Sequence, residues 1–466
     1  MSGLLVHDAE VDGVPGTGVR IRAGRVTEVG AGLAALPDEE VLDAAGGALQ
    51  PGLHDAHLHL HALAAADRSV PCGPPAVTDR EQLAAALATA PAVGGWVRGI
   101  GYVESVAGDL DAAAVDQVHG ARPVRVQHRS GALWMVNSRG VEILGLAGAV
   151  HPGVERDGRG VPTGRLWRAD DWLRNRLPRS APPDLAAVGA RLARLGITSV
   201  TDATPDLDDA AVTAIGDAVA RGVLPQRVEV LGVPLGRREA LPGLIAGPYK
   251  IVLADSGLPS LEDLVDRIRA AHDAGRSVAV HCVTREALVL LLVALGITGV
   301  RPGDRVEHAA VVPVELLDEL AASELRVITQ PGFLSARGDD YLRDVPAADH
   351  ADLYRCASML AAGVPLALSS DAPYGPLDPW AVMTAAVHRR TASGAVLGAA
   401  ESMTSAQALA GYLGSPGDPG GSPRRVGVGC TADLVVLDRT LAEVLHAPTS
   451  DAVRGTLVGG RVVCTR

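Results

Sequence analysis

The chain has 466 residues, 47% of them hydrophobic, so it can bury a large core and is too long for a single small one. Its net charge of −12 comes without any basic stripe, which excludes nucleic acid as a partner because phosphate contacts need clustered Lys and Arg. Only 3% of residues are aromatic and Phe333 is the single Phe, so the interior must be packed with Ala, Val, Leu and Ile.

Residues 1–50 alternate apolar and polar positions between Gly and Asp breaks, a texture that predicts antiparallel strands. The N-terminal MSGLLVHDAEVDG carries acids where a secretory leader needs a basic region and an apolar core. No apolar run is long enough to span a bilayer. The five cysteines (Cys72, Cys282, Cys356, Cys430 and Cys464) are scattered and lack CxxC spacing, which suits reduced thiols. These features together point to a soluble cytoplasmic chain with no membrane partner; a homodimer is the commonest default assembly.

From residue 49 onward short apolar runs alternate with amphipathic helical segments, the signature of βα units around a parallel sheet. Eight strands are predicted, at 49–55, 197–202, 226–232, 249–253, 277–282, 304–308, 325–330 and 365–370. Between them the 260–275 segment reads as a helix capped by Ser260 and stopped by Gly275. Eight such strands predict a (β/α)8 TIM barrel over 51–420. The gap after the first strand is too long for one helix. An inserted subdomain is therefore expected at 67–185, with 124–128 as one of its strands. Such an insertion would roof a pocket at the C-terminal face of the barrel, with Tyr102 and Trp134 among its lining. Residues 432–438 and 453–466 repeat the strand texture of the N-terminus, so 1–50 and 421–466 are expected to build one small β-sandwich domain.

Barrel enzymes carry their chemistry at the C-terminal ends of the strands. Those ends hold His57 and His59, Lys250, His281, His308 and Asp371. A lone histidine there is more often a hydrogen-bonded core residue. Six ligand-type side chains at one end of a barrel are hard to assign to packing. In the His-x-His pair, residues i and i+2 of an extended backbone point the same way, so both imidazoles can reach one ion. His54 and His61 extend the run but fall outside the spacing that works. Among 42 basic side chains Lys250 is the single lysine. Arginine is permanently charged, whereas a lysine amine can become neutral and be carboxylated, so Lys250 reads as a position arginine could not fill.

PGLHDAHLH (51–59) resembles the strand-one motif of the amidohydrolase superfamily of metal-dependent hydrolases. The likeness continues through Lys250, VAVH (278–281), RVEHA (305–309), ITQPGFL (328–334) and ALSSDAPYGPLDPW (367–380), and ends with VGVGCTADLVVLD (426–438). PTGRL (162–166) and Asn137–Ser138 resemble the branch of N-substituted formamide deformylases. The resemblance implies a first ion on His57, His59 and Asp371, a second on His281 and His308, and a carbamate on Lys250 bridging them. The nitrogen-rich ligand set favours zinc, with manganese or iron as the alternatives. It also implies hydrolysis of an amide-like carbon–nitrogen bond, in an N-formyl, N-acyl or cyclic amide, by metal-activated hydroxide, with Asp371 as proton shuttle and Lys250 as the second catalytic residue.

The chain departs from the branch at Ala132, where a histidine is usual and His128 lies nearby, and at Thr284–Arg285, which replace Gly-Asp. His128, Arg285, Tyr374, Trp380 and Arg389 are candidate substrate contacts. One alternative is a mononuclear aminohydrolase acting on a heterocycle. That chemistry needs an acid near the strand-five histidine, and the nearest, Glu286, is five residues on. A non-catalytic barrel scaffold is the other alternative; it would be expected to have lost ligands, and none is lost.

Overall fold

The computed structural model describes residues 3–178, 182–237, 242–253 and 257–466. Contacts divide the chain into two compact units, one of residues 1–60 with 184–466 and one of residues 61–183. No helix among the described residues is long and apolar enough to cross a membrane.

Among the described residues the larger unit contains two all-parallel sheets built from nine strands: β1 (Leu53–Leu58), β2 (Ile197–Asp202), β3 (Arg227–Val230), β4 (Leu244–Ala246), β5 (Tyr249–Val252), β6 (Val278–Cys282), β7 (Arg305–His308), β8 (Arg326–Thr329) and β9 (Leu366–Leu368). Their strand orders are β4-β3-β2-β1 and β5-β6-β7-β8-β9. Backbone bonds bridge the sheets on both sides. Asp371 N donates to His57 O at 2.8 Å, His59 N to Ala372 O at 2.9 Å, and Lys250 N to Leu231 O at 3.3 Å. This mixed α/β arrangement is consistent with a (β/α)8 barrel. Every residue of β1 and β2 is buried, as parallel strands covered on both faces require.

The first predicted strand, 49–55, divides in two. Leu49–Pro51 pairs antiparallel with Leu434–Leu437, while β1 begins at Leu53 and joins β2. Gly52 makes the division possible, because a Cβ there would lie 2.1 Å from Thr198 Cγ2. β4 was not predicted; it is short and mostly exposed. The helix Leu261–Asp273 starts where Ser260 Oγ accepts from Asp263 N at 3.1 Å. Thr284 likewise caps Arg285–Thr298, accepting from Ala287 N at 3.2 Å, so this departure from the family pattern serves the helix start.

At the termini two four-stranded sheets share one apolar core that includes Val6, Val19, Leu49, Leu434, Val436 and Leu457. The expected antiparallel pairing holds for Gly3–Val11 with Val14–Arg22 and for Val14–Arg22 with Arg25–Ala31, but Glu39–Asp43 runs parallel to Gly3–Val11. The long connection after Ala31 allows the reversal.

The smaller unit has a seven-stranded sheet that includes Val124–His128. Tyr102 and Trp134 are buried in its cores. The Tyr102 hydroxyl donates to Gly108 O, and Trp134 Nε1 donates to Asp170 Oδ1 at 2.8 Å, with Arg98 and Arg125 over its ring. Both aromatics are therefore packing residues, not the pocket lining expected of them.

Candidate active site

The end of β1 sets the geometry. Asp55 and His57 alternate to one side of the strand, and Asp55 Oδ1 accepts from His57 N and from Ser370 N, each at 3.2 Å. That carboxyl ties the end of β1 to the loop after β9, which carries Asp371. Burial pushes Asp55 up to about 7. Asp202, ending β2, accepts from Leu60 N at 2.7 Å and Thr204 N at 3.0 Å. It thereby brings Thr204 Oγ1 to 3.1 Å from His59 Nδ1.

His59 Nε2 is 3.2 Å and His57 Nε2 3.6 Å from Asp371 Oδ1. One donor atom from each of His57, His59 and Asp371 lies within 4.8 Å of the other two. The His308 ring stands 4.7 Å from that of His57 and 4.4 Å from that of His281, centroid to centroid. Burial, reinforced by nearby cationic and imidazole groups, pushes His57 and His308 well below the usual histidine range. Neutral imidazoles are the form that binds metal.

Lys250 is 4% exposed, and Nζ has no hydrogen-bond partner among the described residues. Burial lowers its affinity for a proton, while Glu307 and Asp371 act the other way. An orphaned buried amine is costly unless something absent from the protein chain satisfies it. Neutral imidazoles, a carboxylate and this amine make a donor set that fits divalent metal.

The structure thus brings His57, His59, Lys250, His308 and Asp371 together, with His281 against His308. It also brings residues that the sequence reading did not select. Glu307 binds His57 Nδ1 and accepts from Arg305 Nε at 2.6 Å. Gln330 Oε1 lies 2.9 Å from His308 Nδ1, and Gln330 Nε2 donates to Ser369 Oγ at 2.9 Å. Regular alternation would send Glu307 and His308 to opposite faces. His308 has φ +72° and Ala309 φ +44°, left-handed values that break the alternation and bring His308 to the side that Glu307 faces. Asp371 is also left-handed, at φ +52°.

The candidate substrate contacts separate. Tyr374 is at the site, its ring 5.4 Å from that of His59. Trp380 is buried and its indole donates to Leu195 O at 3.1 Å. Arg389 is wholly buried and spends its nitrogens on the carbonyls of Leu353, Tyr354 and Leu397. The structure corrects both to packing roles. Arg285 pairs with Asp349 at 2.5 Å and Asp352 at 3.2 Å, so an acidic ligand group would have to displace two carboxylates. His128 lies in the smaller unit, with Ser130 Oγ 2.7 Å from Nδ1 and Glu104 Oε2 3.3 Å from Nε2. His54 faces away from the histidine group toward Ser199 and Thr201.

A model of the amidohydrolase family matches residues 40–464. The chain is 27% identical to an N-substituted formamide deformylase from Arthrobacter pascens, covering 90% of each chain. It resembles in fold an uncharacterized metal-dependent hydrolase from Pyrococcus horikoshii, with TM-score 0.74 and 20% identity over 94% of this chain and 98% of that one. N-isopropylammelide isopropylaminohydrolase from Burkholderia multivorans is also similar, with TM-score 0.56 and 16% identity over 100% and 99%. A match running from the terminal strands through every strand that bears a candidate ligand places this chain in the amidohydrolase family, as a metal-dependent hydrolase of carbon–nitrogen bonds.

Proposed function

We propose that this chain hydrolyses a small amide-like substrate, of the N-formyl, N-acyl or cyclic amide class, at a two-ion centre on a closed (β/α)8 barrel. In this reading His57, His59 and Asp371 hold one ion and His281 and His308 the other. Lys250, carboxylated on Nζ by carbon dioxide, would help to hold both, and zinc suits the ligand set. The observation that carries the reading is the convergence of His57, His59 and Asp371 within 4.8 Å, with the buried Lys250 amine lacking a hydrogen-bond partner among the described residues.

Divalent metal bound here would polarise the scissile carbonyl and acidify a water at the same place. In this reading Asp371, whose Oδ1 lies 3.2 Å from His59 Nε2 and 3.6 Å from His57 Nε2, would take the proton. It would then deliver that proton to the leaving nitrogen. His59, oriented by Thr204, keeps Nε2 toward Asp371, and Gln330 orients His308 through Nδ1. Tyr374 stands where it can pack against the substrate. The likeness to a formamide deformylase puts N-substituted formamides first among substrates to try.

The compact His57–His59–Asp371 triad also favours a second reading, a one-ion aminohydrolase. Elemental analysis and product assays on zinc-reconstituted protein separate the two. Two ions per chain with formate or a carboxylic acid released from amides supports the first reading. One ion with ammonia released from aminated heterocycles supports the second and overturns the first.

A further inference from the structure

His57 is gripped from behind by a buried polar chain. Glu307 is completely buried, and both its oxygens are engaged, one by Arg305 Nε at 2.6 Å and the other by His57 Nδ1. Arg305 precedes Glu307 by two residues on β7 and so shares its face. Arg305 Nη1 lies 3.7 Å from Glu229 Oε2, and Nη2 donates to Ala56 O at 3.4 Å. Thr201 Oγ1 donates to Glu229 at 3.1 Å and lies 3.4 Å from His54 Nε2; His54 Nδ1 is 3.0 Å from Ser199 Oγ. The chain starts at His57 and returns to His54 on the same stretch of backbone, crossing β7, β3 and β2.

Such a chain is expensive. Buried charges repay their desolvation only when geometry and hydrogen bonding are good, and apolar residues of like volume often serve stability as well. The left-handed backbone at His308 and Ala309, which brings His308 to the side that Glu307 faces, adds about 1–3 kcal/mol of strain per residue. This outlay is placed directly behind one imidazole of the site.

We propose that Glu307 is a positioning residue. It fixes the His57 proton on Nδ1 so that Nε2 presents its lone pair toward Asp371, while Arg305, anchored by Glu229, holds the carboxylate in place. Its use to the enzyme rests on the metal-centre reading above; where the proton sits does not.

The chemistry gives a discriminating variant. In Glu307→Gln the side chain has one oxygen, and Arg305, which can only donate, claims it. The amide NH2 then faces His57 Nδ1 and forces that nitrogen to accept, moving the proton to Nε2 and blocking the ligand atom. In Glu307→Ala neither tautomer is imposed. Metal affinity should therefore fall further in Gln than in Ala, although Gln preserves the volume. A purely packing role gives the opposite order.

The test is long-range proton–nitrogen NMR of histidine-labelled full-length chain without metal, together with zinc titration by competition with a chromophoric chelator. We expect His57 as the Nδ1–H tautomer in wild type and Nε2–H in Glu307→Gln. Zinc affinity should fall about 10–100-fold in Glu307→Gln and less in Glu307→Ala, as typical for losing a ligand's hydrogen-bond partner. Wild type carrying the proton on Nε2, or Glu307→Gln binding zinc like wild type, would overturn the proposal. Should Glu307→Ala fail to fold, the wild-type tautomer still decides it. A wild type that binds no zinc sinks the metal-centre reading alone, since the tautomers are read without metal.

Discussion

Lys250 joins two properties that oppose each other in an ordinary protein: near-complete burial and an amine with no hydrogen-bond partner among the described residues. If the amine is kept for the centre, removing it should relieve the fold while disabling the site. Lys250→Met matches the stem and discards the polar head, which should stabilise the metal-free chain by on the order of 1 kcal/mol. For a chain of this size that is a rise of about 1–2 °C in Tm. The same variant should retain fewer ions by elemental analysis and lose at least about 100-fold in amide hydrolysis, the scale on which metal activation matters. A lower Tm with unchanged ion content would contradict the assignment. Much of the site was legible at this scale because its donors are rare residue types in tell-tale places: a His-x-His pair, one lysine and strand-end histidines. Glu307 was not, because its sequence position next to His308 implies the opposite face, and a left-handed φ leaves no mark in composition. Trp380 and Arg389 misled for a related reason. Residue type discloses what a side chain could do, while its direction depends on packing from Leu195 and from the Leu353–Tyr354 segment far away in the chain.

At the level of elements, the parallel strands were readable as short apolar runs because burial on both faces leaves no polar alternation. β4 was missed for the complementary reason that it is three residues long and mostly exposed. The division at Gly52 was missed because its cause is a contact with Thr198, which is distant in sequence. That contact makes Gly52 a sensitive position. Gly52 N donates to Asp433 O at 2.8 Å, and Gly52 O accepts from Arg424 Nη2 at 2.6 Å, so its backbone is fixed on both sides. A Cβ would lie 2.1 Å from Cγ2, 2.4 Å from Oγ1 and 2.8 Å from Cβ of Thr198, so no rotamer of Thr198 clears it. Gly52→Ala should therefore cost about 1–3 kcal/mol or more as an overpacked site. By contrast Ser260→Ala, which removes one helix cap at the surface, should cost about 1 kcal/mol. Thermal denaturation of both variants checks the ranking; a Gly52→Ala protein as stable as Ser260→Ala would show that β1 can move away from β2.

For the whole molecule the relevant question is which parts carry their own core. The terminal strands do so only jointly: Leu434, Val436 and Leu457 pack in the same cluster as Val6, Val19 and Leu49, so neither end of the chain has a core alone. Residues 61–183 do, with two apolar clusters drawn entirely from within that span. The length of the gap after the first strand signals that something is inserted, but only the contacts show that it owns its core. Thiol chemistry can read this directly. In the intact chain Cys430 is exposed, while Cys72, Cys282 and Cys356 are buried. Burial pushes the Cys72 and Cys356 thiols up to about 12, so at pH 8 neither offers the reactive thiolate. Because the shift is upward, raising the pH to 9 still leaves both protonated. Ellman's reagent should accordingly label Cys430 at once and the three buried thiols only on unfolding. Cys72 is the single cysteine of 61–183 and lies at the centre of one of its clusters. Expressed alone, that segment should melt cooperatively by circular dichroism and keep Cys72 unreactive until the melt. If Cys72 in the isolated segment reacts as fast in buffer as in 8 M urea, the cluster does not form without the rest of the chain.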